Sequence, residues 1–392
     1  MRLLFVADGR SPIALNWINY FLDTGHEVHL ASTYPCEPDP RLASISLVPV
    51  AFSQVAGAGK GAGGAPSRMR GAAAVRARTL LRQWLGPLTV PNAVRRLRAI
   101  FDQFQPDLVH AMRIPYEGML AAQAGPAPPL LVSVWGNDFT LHAASNPMLA
   151  RLTRLTLQRA NALHADCQRD VRLAYEWGLT QGASTVVLPG AGGVQREVFY
   201  PPSHEVSEAA ELQPLVINPR GIRAYVRNDT FFQAIPAILK KLPQVRFVCP
   251  VMAGEPEAQR WLERLNLAGL VELLPRQTRP QMADLFRRSL VAVSPSTHDG
   301  TPNTLLEAMA CGSFPVAGDI ESLREWIEPG INGLLVDPAD PHALARAVIA
   351  ALESRQLRQQ ASEHNQRLID VRAEYRQVML KAERFYRELL QI

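Results

Sequence analysis

Residues 290–318 read LVAVSPSTHDGTPNTLLEAMACGSFPVAG, and their pattern decides the fold. An apolar run of strand length, LVAVS, breaks into Pro, Ser, Asp and Gly, which favour a turn. A short amphipathic stretch follows at 303–311, is stopped by Gly312, and gives way to a second apolar run, FPVAGD. Strand, loop, helix and strand in this order make a βαβ unit, whose strands lie parallel and buried. Ligands of such sheets bind beyond the carboxyl ends of the strands, where the 295–302 loop is delivered. Gly300 frees the backbone for close approach, Pro302 suits a first helical turn, and Asn303 or Thr304 is placed to cap the helix. A helix start offers unpaired N–H groups and the positive end of the dipole, ready for a phosphate. Asp299 and Glu307 stand eight residues apart, one in the loop and one about a turn into the helix. Both carboxylates can accept hydrogen bonds from sugar or ribose hydroxyls. The same pattern also describes a capped helix with a solvated Asp and Glu.

The alternation continues outward. Upstream, LLFVA (3–7), EVHLAS (27–32), DLVHAM (107–112), LLVSVW (130–135), ALHAD (162–166) and TVVLP (185–189) read as strands. Helical stripes separate them, the first carrying Ile13, Trp17 and Phe21 with Ala14, Ile18 and Leu22. PPSHEVSEAAELQP (201–214), polar and proline-flanked, suits a linker. A second series starts at LVIN (215–218) and runs through VRFVCPV, VELLP, LVAVSPS, FPVAGD and GLLVDP. Helices are expected at 229–241, 256–267, 280–288, 303–311, 322–328 and 341–353, and the last forty residues are helical without strands. The fold class is therefore α/β, two doubly wound Rossmann-like domains over 1–200 and 215–372 joined by a linker at 201–214.

Forty-seven percent of the 392 residues are hydrophobic, ample for two cores and inconsistent with a disordered chain. The formal charge of +5 is unevenly spread: residues 1–200 hold 19 basic and 13 acidic residues, the remainder 22 and 23. Residues 41–101 carry ten Lys or Arg and no acid, which points to an anionic partner, a membrane surface or a polyanion. Within them, SQVAGAGKGAGGAPSRMRGAAAVRAR (53–78) reads as a mobile basic loop. It leads into TLLRQWLGPL (79–88), where Trp84 among leucines and arginines has the pattern of an interfacial segment. A solvated loop and a short core helix is the plainer reading. Cys36, Cys167, Cys249 and Cys311 lie far apart with no metal-binding spacing, as in a reducing compartment. MRLLFVADG reads without a cleavable leader, and no window is apolar enough for a spanning helix.

LLEAMACG at 305–312, with Asp299-x7-Glu307 running into it, resembles the E-x7-E signature of the retaining glycosyltransferases of family four. PDLVHA (106–111), LPGAGGVQREVFYPP (188–202) and GLLVDPAD (333–340) fall where that family has further motifs, so the resemblance spans nearly the whole chain. It implies the GT-B fold: two Rossmann-like domains facing a cleft, with a C-terminal helix, here 373–392, crossing back to the N-terminal domain through Val378, Leu380, Phe385, Leu389 and Leu390. It further implies transfer of a hexose-type sugar from a nucleotide diphosphate sugar, a UDP-sugar by default, to a glycan or lipid-linked acceptor in cell-surface polysaccharide or glycolipid synthesis. The scattered cysteines and the acid-free basic stretch give the expected location, cytoplasmic and peripheral on the inner face of the cell membrane.

Carried onto this chain, the resemblance assigns Glu307 to the donor ribose and Asp299, where the family has Glu, to the transferred sugar. Backbone groups of Gly300, Thr301, Pro302, Asn303 and Thr304 would meet the sugar and diphosphate. Two cations clamp the diphosphate; in NPRGIRAYVRND they are Arg223 and Arg227, with Arg220 as the rival. Pro275 and Arg276 would border the base, and Gly9 the diphosphate. On the acceptor side stand Arg10, His110, Trp135 (where the family has His) and Asp138, although a strand-end histidine such as His110 is more often structural. Glu325 reads as structural. No D-x-D, H-E-x-x-H or Cys/His cluster is present, so no metal or other cofactor is expected, the nucleotide-sugar being a substrate. No carboxylate is obviously placed as a nucleophile on the opposite sugar face, and the resemblance implies same-face transfer with retention, without a covalent sugar–enzyme intermediate. Two alternatives remain: a catalytically silent GT-B scaffold, and a nucleic-acid-binding protein using the basic stretch, which its few aromatics and missing motifs disfavour.

Overall fold

The computed structural model describes residues 1–51, 53, 84–125 and 128–392. The basic loop expected at 53–78, apart from Ser53, and the first half of the 79–88 segment, residues 79–83, lie outside the described residues.

The described residues form two compact units, one of residues within 1–192 together with Gln377–Ile392, the other Gly193–Arg376. The first contains strands β1 (Arg2–Ala7), β2 (Glu27–Ser32), β3 (Ser44–Leu47), β4 (Leu108–Ala111), β5 (Leu130–Val134), β6 (Ala162–Ala165) and β7 (Ser184–Val187). They run parallel in the order β3-β2-β1-β4-β5-β6-β7. The central strands are buried on both faces, which is why they read as unbroken apolar runs. β3 escaped the sequence reading because it is a short edge strand of alternating pattern, with Ile45 and Leu47 partly exposed.

The second unit contains β8 (Leu215–Ile217), β9 (Arg246–Cys249), β10 (Val271–Leu273), β11 (Val291–Ser294), β12 (Phe314–Gly318) and β13 (Leu334–Val336). The order is β10-β9-β8-β11-β12-β13, again parallel. In each sheet the order reverses once among the central strands, between β1 and β4 and between β8 and β11. Those are the topological switch points at which doubly wound folds bind ligands.

The 201–214 stretch is not an extended linker. Ser203 caps a helix, His204–Leu212, by accepting from Val206 N, and Glu211 in that helix holds Arg358 through two contacts. The chain already belongs to the second unit at Gly193, because Val194 pairs with Glu374 and Phe199 is buried in that unit's core. The expected helix at 322–328 is only a 3₁₀ turn, Leu323–Glu325, followed by Trp326 and Ile327 turned inward.

The C-terminal helix, Tyr375–Leu390, does return to the first unit. Val378 and Phe385 are buried as expected, with Met379, Ala382 and Tyr386, whereas Leu380 points outward at 58 % exposure. Tyr386 is fully buried, its ring stacked on Phe21 at 4.7 Å, and its hydroxyl accepts from Trp17 Nε1 at 2.9 Å. Glu383 beside it accepts from the Tyr20 hydroxyl at 2.9 Å.

Candidate functional site

The second unit's site is assembled by two loops that leave the sheet at the β8/β11 switch point. Asn218, buried at the end of β8, donates to Asn228 Oδ1 (3.0 Å) and accepts from Arg220 N (3.2 Å). Asn228 in turn donates to Gly221 O, so the loop is tied at both ends. It is also laced to the loop after β11: Val226 bridges Ser296, Arg227 N donates to Pro295 O, and Thr297 N donates to Tyr225 O. Backbone hydrogen bonds of this kind fix the loops before any ligand arrives.

Asp299 and Arg220 meet in this frame. Arg220 Nη2 lies 2.6 Å from Asp299 Oδ2, and Nη1 donates to Thr304 Oγ1 at 3.1 Å. The two side chains of the pair are only 8 % and 12 % exposed. Arg220 Nε is buried without a partner among the described atoms. Asp299 O accepts from Ser322 Oγ (2.7 Å), and Thr301 Oγ1 accepts from Trp326 Nε1 (2.8 Å), so the loop between β11 and the next helix is held on its other side too.

That helix, Asn303–Ala310, begins at Pro302, which stands in the cap position without a side-chain hydrogen bond. Asn303 and Thr304 are its first residues and not its cap; the Thr304 hydroxyl is engaged by Arg220. Leu305, Leu306, Ala308, Met309 and Ala310 are buried, leaving Asn303, Thr304 and Glu307 on one less covered face. Burial pushes the Glu307 carboxyl up to about 7, and Arg279 pulls it back more weakly. A protonatable carboxyl, a buried guanidinium and a helix amino end are thus collected at one switch point.

The other expected residues fall around this centre unequally. Arg223 is exposed, its guanidinium turned back onto Arg220 O and the Tyr225 hydroxyl. Arg227 is bidentate to Asp229, about one-third exposed. Of the three arginines, Arg220 is the one brought to Asp299. Pro275 and Arg276 are exposed at the end of β10, with Pro275 O accepting from Gln277 Nε2 and from Val251 N. Arg279, which the sequence reading passed over, bears on Glu307 and donates to Gln195 Oε1 at 2.9 Å.

The first unit has its own constellation. Gly9, at the end of β1, is packed so that a Cβ would collide with Cys36 Sγ and Ser32 Oγ. Arg10 is bidentate to Asp8 and lies over the Tyr34 ring at 3.6 Å. Asp138 is buried and organises the turn after β5, accepting from Trp135 N (3.2 Å) and from Arg113 Nε (2.8 Å). Arg113 also donates to Asn137 Oδ1, and Arg169 Nη2 donates to Gly136 O, so two arginines clamp the WGND turn. Neither was singled out from sequence, since each is a lone arginine without a motif. Trp135 Nε1 is buried without a partner among the described atoms. Asp166, Cys167 and Asp170 lie within 4.8 Å of one another, with Arg169 bonded to Asp170 in their midst.

His110 is placed inside the core and not on an accessible wall. Its ring nitrogens meet the Tyr386 hydroxyl and Ser133 Oγ, and Ser133 continues to His164. Burial, with His164 nearby, holds His110 well below the usual histidine range, and burial brings His164 down to about 4. Both rings are therefore neutral elements of a packed network.

With this geometry in view, residues 9–190 match the family described as Glycosyl transferase 4-like domain, and residues 222–354 match Glycosyl transferases group 1. The chain belongs to the family-four glycosyltransferases. Among curated relatives of this glycosyltransferase family member, D-inositol 3-phosphate glycosyltransferase of Nocardiopsis dassonvillei is 29% identical over 200 residues, covering 47% of this chain and 46% of the relative. The enzyme of that name from Geodermatophilus obscurus is 36% identical over 126 residues, covering 31% and 28%. The chain thus aligns with half or less of these relatives' length. The fold is GT-B: the chain superposes on sucrose-phosphate synthase from Thermosynechococcus elongatus with a TM-score of 0.76 at 16% identity, over 100% of both chains. Anabaena HepE in complex with UDP-glucose gives 0.71 at 17% identity, over 98% and 99%.

Proposed function

We propose that this protein is a retaining, metal-independent glycosyltransferase that moves a hexose from a nucleotide diphosphate sugar, a UDP-sugar before others, to a glycan or lipid-linked acceptor. One observation carries the reading: Arg220 and Asp299 meet at the amino end of the Asn303–Ala310 helix at the β8/β11 switch point, with Glu307 one turn along that helix. A guanidinium and helix amides suit a diphosphate leaving group, whose growing negative charge they stabilise. Glu307, half-buried a turn further on, suits ribose hydroxyls. Family membership supports the activity, and the UDP and UDP-glucose held by HepE support the donor class.

Two finer features belong to the proposal. Retention would follow from attack on the face from which the diphosphate departs, with no enzyme-bound sugar. An anionic membrane surface is the proposed location: Trp84, Leu85 and Leu88 are 59 %, 42 % and 63 % exposed, within a stretch rich in basic residues and free of acids. Among the described residues no helix is long and apolar enough to cross a membrane.

The test begins with thermal-shift screening against UDP-, GDP- and ADP-sugars. Release of nucleoside diphosphate from the best donor is then followed in the wild type and in Glu307→Ala and Arg220→Ala. The expected outcome is a loss of about a hundredfold or more in each folded variant. A wild type that binds no sugar nucleotide, or variants as active as the wild type, would leave a silent scaffold as the better account.

A further inference from the structure

We propose that Asp299 is a positioning residue: it fixes the Arg220 guanidinium at the amino end of the Asn303–Ala310 helix for a diphosphate, and it does not itself hold a sugar hydroxyl. The inference rests on the donor reading above and concerns how that site is set before the donor arrives.

The geometry is specific. Asp299 Oδ2 is committed to Arg220 Nη2 at 2.6 Å, and both side chains are nearly buried. A guanidinium in so dry a place needs a counter-charge to remain there, and the bound carboxylate supplies it. The carboxylate is itself anchored, because its main-chain carbonyl accepts from Ser322 Oγ. Arg220 Nη1 reaches the Thr304 hydroxyl in the helix's first turn, so the pair aims the arginine where helix amides converge. The Nε–H, buried and without a partner among the described atoms, is a donor that a phosphate oxygen would satisfy. A long, flexible side chain held in its bound conformation loses less entropy when ligand arrives. Aspartate suits this task, since its short side chain stays close to the pinned backbone, whereas a sugar hydroxyl would have to compete with an existing ion pair for Oδ2.

The two roles separate on a ligand without a sugar. Calorimetry measures binding of UDP and of UDP-glucose, with GDP, ADP and their glucose forms in parallel, to wild type, Asp299→Asn, Asp299→Glu, Arg220→Lys and the Arg220→Lys/Asp299→Asn double variant. Positioning predicts that Asp299→Asn weakens the bare nucleoside diphosphate and its glucose form by the same factor, about tenfold to a hundredfold. It also predicts that Asp299→Glu recovers most of the loss for both, and that Asp299→Asn adds little in the Arg220→Lys background. Unchanged binding of the bare diphosphate beside weakened binding of the sugar form would overturn the proposal, as would losses that multiply in the double variant. Thermal unfolding checks each fold. If Asp299→Asn is too unstable to titrate, Asp299→Glu decides alone: equal changes for both ligands support positioning, and a change confined to the sugar form refutes it. A wild type that binds none of the six ligands refutes the donor reading itself.

Discussion

At Glu307 burial lifts the carboxyl to about 7, above its ordinary value of 4.5, while Arg279 opposes the shift. Between those two pH values the folded chain binds more protons than the unfolded one, so stability falls as pH rises through that window and stays lower above it. Glu307→Gln should therefore stabilise the protein at pH 8, by on the order of 1–2 kcal/mol once partial exposure is allowed for, and should give no such gain near pH 4.5. Unfolding midpoints at the two pH values check this. The same ionisation should matter to the ligand, because a carboxylate accepts hydroxyl hydrogen bonds more strongly than a neutral acid. Donor affinity is expected to rise between pH 6 and 8 in the wild type and to stay flat in Glu307→Gln, by titration calorimetry. Gly9 makes a different residue-level prediction: Gly9→Ala drives a methyl group into Cys36 and Ser32. A loss of about 1–3 kcal/mol is expected, partly recovered by Cys36→Ala, measured by denaturant unfolding. Sequence spacing led to Asp299 and Glu307 because a motif marks them. It favoured Arg223 and Arg227 over Arg220, and the structure brings Arg220 to Asp299 instead, because all three lie on one loop and only the hydrogen bonds of Asn218 and Asn228 decide which one turns inward.

The Asn303–Ala310 helix and its two flanking strands were legible because a βαβ unit writes its periodicity and its stop signal, Gly312, plainly. The His204–Leu212 helix was hidden by flanking prolines and a polar composition, its place being secured by Glu211 gripping Arg358 from far along the chain. The C-terminal helix was expected to lean on Leu380, yet the buried stripe runs through Val378, Met379, Ala382, Phe385 and Tyr386. Tyr386 joins that helix to Trp17 and His110 by hydrogen bonds inside the core. Tyr386→Phe removes the shared hydroxyl and leaves two buried ring nitrogens short of a partner. It should cost about 2–3 kcal/mol, seen as a lowered unfolding midpoint, while Leu380→Ala at the exposed position should change it by less than about 0.5 kcal/mol.

Across the whole chain, alternating apolar runs and amphipathic stretches yield two parallel sheets whose strand order reverses once each, and both reversals carry the residues of interest. The charge of +5 divides in the same way, its excess lying in residues 1–200. If that excess serves a membrane, the protein should sediment with vesicles containing anionic lipid, and less so as salt rises. Trp84→Ala/Leu88→Ala should weaken the association without altering the unfolding midpoint, whereas equal binding to neutral vesicles or to DNA would contradict the assignment. The central claim is that a nucleotide-sugar donor sits at the β8/β11 switch point. A crystal structure of the protein soaked with the best donor from the thermal-shift screen tests it most directly. The account predicts diphosphate density within hydrogen-bond distance of Arg220 and the first amides of the Asn303–Ala310 helix, with the ribose at Glu307; density elsewhere, with this site empty, would contradict it.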